Sequence, residues 1–302
     1  MFQPLQRGDK IGIFSSSVPA TSTAKLRYDR GKEFLQAKGY QLLRDPSIKM
    51  IMSSIGGTNS NSLLPYIDYE AFKNNPKIVI GYSDTTAILL ALFAKTNIPT
   101  YYGPALIPSF GEFEPLVHET YNYFKHYFSQ PSVPYMIPMS PVWSDEMINW
   151  LTFEKPKTLY SNKWISIHEG VVEGRLIGGN NNTMYGFIGT PYFPVIKNGD
   201  ILLIEDSLKS ASTVEKNLAM LKLHGIFDKV GGIILGKHEL FDDEGTGKQP
   251  LDLLLEQLDG KIIPILADVD CAHTHPMFPL AIGKKIRLDT ITQTITCIEH
   301  WL

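Results

Sequence analysis

The feature that most constrains this chain is a series of short, mainly apolar runs that end in small or acidic residues and alternate with helical stretches. Lys10–Phe14 leads into Ser15-Ser16-Ser17, and 77–80 leads into Gly81-Tyr82-Ser83 and a helix over about 85–95. The run 98–102 follows that helix. Later, 200–204 leads into Glu205-Asp206, and 230–235 and 262–266 are further runs. A strand that is apolar at every position is buried on both faces. Strands alternating with helices cover both faces of a parallel sheet. The expected fold class is therefore α/β.

Other elements follow from period and punctuation. Ser22 or Thr23 is placed to cap a helix carrying Ala24, Tyr28, Gly31 and Leu35 on one face, with Gly39 as its stop. Ser212-Thr213-Val214-Glu215 reads as a capping box opening a helix with Val214, Leu218 and Leu221 inward and Gly225 at its end. Pro250–Leu258 reads as a helix, and 286–298 as a terminal pair of strands. From 110 to 163, prolines, aromatics and charges mix without clear period, as in a connection that holds at most short helices. The division expected is an N-terminal domain over 1–143, a connector over 144–173 and a C-terminal domain over 174–302. One join conflicts with a parallel sheet. Only Arg44-Asp45-Pro46-Ser47 separates the strand at 40–43 from that at 48–52, whereas a parallel crossover needs about a dozen residues. Either these two strands form an antiparallel hairpin, or the chain lacks a loop and helix there. The second reading is favoured.

Composition excludes several classes. With 302 residues, 43% of them hydrophobic, and a net charge of −3, the chain has enough core for two domains and no basic field for nucleic acid or an anionic membrane. Its two cysteines, Cys271 and Cys297, make no disulfide framework, which fits a reducing compartment. The apolar stretch 87–94 is too short to span a bilayer, and the start of the chain lacks the pattern of a signal peptide. A cytoplasmic location is expected.

The strongest local chemical signal is Ile80-Gly81-Tyr82-Ser83-Asp84-Thr85-Thr86. A buried strand ends, glycine permits a sharp bend, serine stands at the tip and a helix begins, which is the logic of a nucleophile elbow. The new helix offers backbone N–H groups to a developing oxyanion. The same residues also read as a helix cap. A serine nucleophile needs a base and an orienting acid. Glu205 stands at one strand end, and His273 in a loop beyond another. Glu205-Asp206 also reads as a carboxylate pair at a helix entry, and His273 as a loop histidine. His273-x-His275, with Asp268, Asp270 and Glu239 nearby, lacks a third ligand at a diagnostic metal spacing. Glu244-Gly245-Thr246-Gly247-Lys248-Gln249 lacks the spacing of a phosphate loop. Gly56-Gly57 and Gly178-Gly179 allow close approach of backbone to a ligand, or are ordinary turns. Trp150 reads as a ring-stacking platform or as packing between domains.

Taken together, several segments resemble the LD-carboxypeptidase family of serine peptidases, nearest its microcin C immunity branch. They are Phe14-Ser15-Ser16-Ser17, Ile55-Gly56-Gly57-Thr58-Asn59-Ser60, Gly81-Tyr82-Ser83-Asp84-Thr85-Thr86, Tyr102-Gly103-Pro104-Ala105, Gly174-Arg175-Leu176-Ile177-Gly178-Gly179-Asn180, Ile204-Glu205-Asp206-Ser207, Gly236-Lys237-His238-Glu239-Leu240-Phe241 and His273-Thr274-His275-Pro276. The resemblance implies a Rossmann-like parallel-sheet N-terminal domain and a smaller β-rich α/β C-terminal domain. It also implies a triad of Ser83, Glu205 and His273, and an oxyanion hole from the N–H groups of Gly57 and Asp84. By the same likeness, Trp150, Asn182, Ser207 and Lys209 contact a nucleotide-bearing substrate. No cofactor or metal is implied, and a homodimer is. The substrate implied is a small peptidyl- or aminoacyl-nucleotide, cleaved at an amide-type bond. The family's other activity removes the terminal D-alanine from murein tetrapeptides. A non-catalytic binding protein on the same fold is the reading of another class, although a binder has no need of the serine, the glutamate and the histidine together. The family has a loop and helix where this chain has only 44–47.

Overall fold

The computed structural model describes residues 2–38, 40–42, 47–152 and 155–302. The strands in chain order are β1 (Lys10–Phe14), β2 (Gln41–Leu42), β3 (Met50–Ser53), β4 (Ile78–Gly81), β5 (Thr100–Tyr102), β6 (Tyr135–Met136), β7 (Val142–Trp143) and β8 (Tyr160–Ser161). They continue with β9 (Ile165–Ile167), β10 (Val171–Asn180), β11 (Ile201–Glu205), β12 (Gly232–Gly236), β13 (Ile265–Val269), β14 (Leu280–Ile282), β15 (Lys285–Asp289) and β16 (Thr294–Cys297).

Two mixed sheets carry the fold. In the first the order is β14-β5-β4-β3-β1-β2, and β1 to β5 are parallel. The second runs β6-β16-β15-β10-β11-β12-β13-β9, with β10 to β13 parallel at its centre. Strands cross over between the halves of the chain. β14, from near the C-terminus, pairs antiparallel with β5 through Leu280 and Tyr102, and β6 pairs with β16 in the second sheet. In the first sheet the strand order 2-1-3-4-5 reverses between β1 and β3. Ligand crevices of open α/β sheets lie at such a reversal, beyond the carboxyl ends of the strands.

The buried runs behave as their composition demands. All of β4, β11 and β12 is buried. The helix Thr86–Thr96 buries every residue from Thr86 to Phe93, so it shows no polar face, as expected of a helix covered on all sides. It touches β4 and β5 of the first sheet and β10 of the second. The helix Pro250–Leu258 lies where proline at its first position placed it, with Gln249 and Asp252 forming its capping box.

Several expectations need correction. The capping box expected at 212–215 does not form. The helix begins at Ala211, and its exposed Ser212 N–H is capped from a distant loop by Glu244 Oε2 at 2.7 Å. The segment 110–163 is less irregular than its composition suggested. Leu116–Ser129 is a helix that buries Leu116, Val117, Thr120, Tyr123, Phe124, Tyr127 and Phe128. Its apolar face is built from tyrosine and phenylalanine, which sequence reading took for irregular structure. In the Lys25–Ala37 helix the buried residues are Arg27, Gly31 and Leu35, and Ala24 precedes it without a side-chain cap. Arg27, a cation of a kind ordinarily found at the surface, is fully buried there. Gly39, its expected stop, lies outside the described residues. The run at 262–266 enters its sheet three residues late, since Ile262 is exposed and β13 starts at Ile265.

β2 and β3 both pair parallel with β1, on opposite sides of it, so they do not form a hairpin. The expectation of a missing crossover falls on 43–46, which lie outside the described residues.

Candidate active site

At the tip of β4 the chain turns sharply. Ser83 has φ of 60°, in the left-handed region that costs a residue with a side chain, and opens a short 3₁₀ turn that continues into the Thr86–Thr96 helix. Strain of this kind persists where surrounding contacts over-determine it. Here the Asp84 carboxylate does not cap its own helix. It accepts from the backbone N–H of Ser60 at 2.9 Å and from the Ser60 hydroxyl at 2.6 Å. The loop after β3 is thereby held against the turn after β4.

That loop carries Gly56 and Gly57, and both need to be glycine. A Cβ on Gly56 would lie 2.6 Å from Ser83 Cβ and 3.1 Å from Asp84 N. Gly57 has φ of 156°, and a Cβ there would collide with the side chain of Ser17. The Ser17 hydroxyl, just after β1, accepts the Thr58 N–H at 2.9 Å. The ends of β1, β3 and β4 thus converge on one small region.

The second sheet supplies the acid and the histidine. Glu205 ends β11 and is 1% exposed. Its Oε2 lies 2.7 Å from His273 Nδ1. Its Oε1 accepts from the Tyr102 hydroxyl at 2.5 Å and from Asn180 Nδ2 at 3.0 Å. Burial alone would raise the pKa of this carboxyl, but the charge of His273 and the three hydrogen bonds outweigh it and hold the group below the usual range. Burial alone would likewise lower His273, and Glu205 overrides it, so the imidazole is more basic than usual. The Tyr82 ring meets His273 edge-on, with centroids 4.8 Å apart. With Nδ1 turned to Glu205, Nε2 is the nitrogen left for chemistry.

Asp206, next to Glu205, accepts the backbone N–H of Asn182 at 3.1 Å. Burial first, and then the Glu205 charge, push its carboxyl up to about 7. Of the two carboxylates read together in the sequence, one is held ionised and its neighbour is poised to take a proton near neutrality.

A cavity of about 370 Å³ opens beside Ser83, within the range of small-molecule sites. Gly57, Asp84, Trp150, Asn182, Ser207, Lys209 and His273 all line it, so the structure gathers every expected site residue except Glu205, which stands behind His273. Asn182 Oδ1 accepts from Asn217 Nδ2 at 3.2 Å, and Ser207 donates to Glu239 Oε2 at 2.6 Å. Trp150 both packs internally and lines the cavity. Its ring lies 4.9 Å over the Arg27 guanidinium and packs near Ala24 and Ile107, yet it also faces the cavity.

Sequence reasoning missed four residues that shape this site. Tyr102 and Asn180 hold Glu205. Both stand in the segments that carried the family resemblance, at strand ends beside glycine, and that position was the available signal. Arg27 and Lys157 are buried beneath the cavity. Arg27 donates to the carbonyls of Ile107 and Pro108 and to Glu112 Oε2 at 2.7 Å. Lys157 Nζ lies 3.3 Å from His275 Nδ1 and 3.7 Å from Glu112. Nothing local announces either one. His275 does not join His273. Its Nε2 donates to Pro108 O at 2.7 Å, and burial with the nearby cations keeps it neutral. Asp270 is engaged by Lys237 at 2.8 Å.

Comparison with known proteins points one way. The signature of the LD-carboxypeptidase C-terminal domain matches residues 173–288, and that of the N-terminal domain matches 40–103. The chain is 50% identical to the microcin C7 self-immunity protein MccF of Escherichia coli over 329 aligned positions, covering 99% of this chain and 96% of that protein. It is 46% identical to a putative carboxypeptidase of Vibrio cholerae, with 99% and 97% covered. The alignment with MccF is longer than this chain, so that relative has residues with no counterpart here. The solved apo structure of MccF superposes with a TM-score of 0.97, covering 100% of this chain and 99% of that one. MccF has also been solved in complex with aspartyl sulfamoyl adenosine and with glutamyl sulfamoyl guanosine.

Proposed function

The chain belongs to the LD-carboxypeptidase family, and from that premise we propose that it is a serine hydrolase that cleaves the amide-type bond of acidic aminoacyl-nucleotides, detoxifying an antibiotic of the microcin C kind. The observation that carries the reading is the Glu205–His273 pair at 2.7 Å, beside a strained Ser83 in a cavity that Trp150 also lines. Support for the substrate class comes from the MccF complexes with aspartyl and glutamyl sulfamoyl nucleosides.

In this mechanism His273 Nε2 takes the Ser83 proton as Oγ attacks the acyl carbon. Glu205 fixes the imidazole tautomer and stabilises the imidazolium that forms. The N–H groups of Gly57 and Asp84 receive the oxyanion. His273 then returns the proton to the leaving nitrogen, and water, activated by the same histidine, releases the acyl group from Ser83. Trp150 stacks on the base, and Asn182, Ser207 and Lys209 contact the rest of the ligand. The enzyme acts in the cytoplasm as a homodimer, a reading that rests on the family likeness. Among the described residues no helix is long and apolar enough to cross a membrane.

A second reading is carried by the family's own name: removal of terminal D-alanine from a murein tetrapeptide. Purified protein and its Ser83→Ala variant, each given aspartyl sulfamoyl adenosine and a D-alanine-ending tetrapeptide, separate the two. The proposed function expects cleavage of the nucleoside alone, with a loss of several orders of magnitude in the variant and an unchanged fold. Serine-dependent release of D-alanine instead would assign the chain to cell-wall recycling. Near-native turnover in Ser83→Ala would end the serine-hydrolase reading.

A further inference from the structure

We infer that Tyr102 is a positioning residue that ties the nucleophile turn to the triad carboxylate and tempers the basicity of His273. This rests on the proposed roles of Ser83, Glu205 and His273. The Tyr102 side chain is fully buried at the end of β5. Its single hydroxyl proton goes to Glu205 Oε1 at 2.5 Å, and its oxygen lies 3.3 Å from the Ser83 backbone N–H, which it accepts. One oxygen therefore touches both the strained residue of the first sheet and the acid of the second. Its backbone is fixed as well, because β14, a few residues beyond His273, pairs antiparallel with β5 at Tyr102.

Two consequences follow from ordinary hydrogen-bond chemistry. A group that accepts the Ser83 N–H supports a left-handed backbone that would otherwise leave a partly buried donor unpaired. A donor on Glu205 Oε1 draws charge from the carboxylate, so the opposite oxygen pulls less strongly on the His273 proton. A general base must be neutral to accept a proton, and a weaker pull keeps more of the imidazole neutral. The phenol keeps its proton throughout, since burial and then the Glu205 charge push its pKa well above the ordinary value. Asn180 Nδ2 donates to the same Oε1, but its backbone N–H goes to Thr86 Oγ1, so among the described residues Tyr102 is the side chain that hydrogen-bonds both Ser83 and Glu205. His273 also faces Asp206 after β11 and Glu239 after β12, with His238 and His275 nearby, and none of these hydrogen-bonds Glu205.

The test is Tyr102→Phe, which keeps the ring and removes the oxygen. Its kcat is expected to fall about 10- to 100-fold, the worth of one hydrogen bond to a charged group, with KM little changed. The acid limb of the pH–rate profile and the imidazole titration of His273, followed by NMR, both move to higher pH. The titration needs no substrate. It therefore stands apart from the proposed function, which fails separately if the wild type shows no serine-dependent turnover. If the phenylalanine variant does not fold, 3-fluorotyrosine placed at 102 is a stronger donor and shifts the His273 titration the opposite way, to lower pH. A His273 titration at the same pH with and without the altered hydroxyl would overturn the inference.

Discussion

Ser83 and Glu205 stand at the ends of buried strands, and the polar atoms around them are joined in a connected set of hydrogen bonds through Tyr102, Asn180 and His273. Trp150 and Lys157 stand instead on a long segment between β7 and β8, clamped at its neck by Glu146, which pairs with Lys155 at 2.8 Å. What steadies the second region is a buried charge cluster. Arg27 and Glu112 are both essentially inaccessible to solvent, Lys157 joins them, and the Trp150 ring lies on Arg27. On the proposed function, the difference separates two tasks. Bond-breaking groups need fixed distances, which strand ends provide. A surface that receives a ring can sit on a loop if something beneath keeps it flat.

Three changes would break or sharpen that contrast. The largest effect is expected from Arg27→Met. It leaves Glu112 buried without its main partner, and such losses cost about 3–5 kcal/mol. Thermal unfolding should show a large drop in Tm, and an unchanged Tm would mean that the cluster does not support the loop. Next is Trp150→Ala. Losing one aromatic–base stack is worth about 1–3 kcal/mol, so KM for an adenosine-bearing substrate should rise about 10- to 100-fold while kcat holds. Steady-state kinetics decide this, and a fall in kcat at constant KM would move Trp150 out of the binding role.

The smallest effect is expected from Asp206→Asn, and its sign depends on pH. The folded carboxyl is pushed up to about 7 from an ordinary 3.8. A raised folded value means that this group favours the fold fully only below its unfolded pKa, and the advantage is lost as pH rises through about 7. Asparagine carries no such cost and can still accept from Asn182 N. The variant should gain stability on the wild type between pH 5 and pH 8, by up to about 3 kcal/mol, read as a rise in relative Tm. A pH-independent difference would show that Asp206 stays ionised.

Much of the first region was legible in the chain itself. An apolar strand, a glycine, a serine and a helix start lie within seven consecutive residues, so the turn at Ser83 is a local event. The same holds for Gly56-Gly57 and for Glu205 at the end of β11. The second region was not legible. The helix Leu116–Ser129, which precedes that segment in the chain, buries a face of aromatic and polar residues that gives no clean apolar stripe, and Arg27 sits on a helix face where a cation ordinarily meets water. Glu244 replaced the expected cap at 212–215 because a carboxylate 32 residues away reached the helix start.

By itself, then, the sequence determined the apolar strands that end at the site and the sharp turn at Ser83, because short-range sterics and apolar runs act within a few residues. The tertiary structure alone decided which groups support them. Tyr102 and Glu205 are 103 positions apart, and Arg27 and Glu112 are 85. A hydrogen bond or ion pair between such distant residues leaves no period, motif or spacing in the chain. It exists because β5 and β11 end at the same place and the Lys25–Ala37 helix lies under the cavity. The charge state of Asp206 and the basicity of His273 belong to that level too, since both are set by burial and by neighbours that only the packed fold supplies.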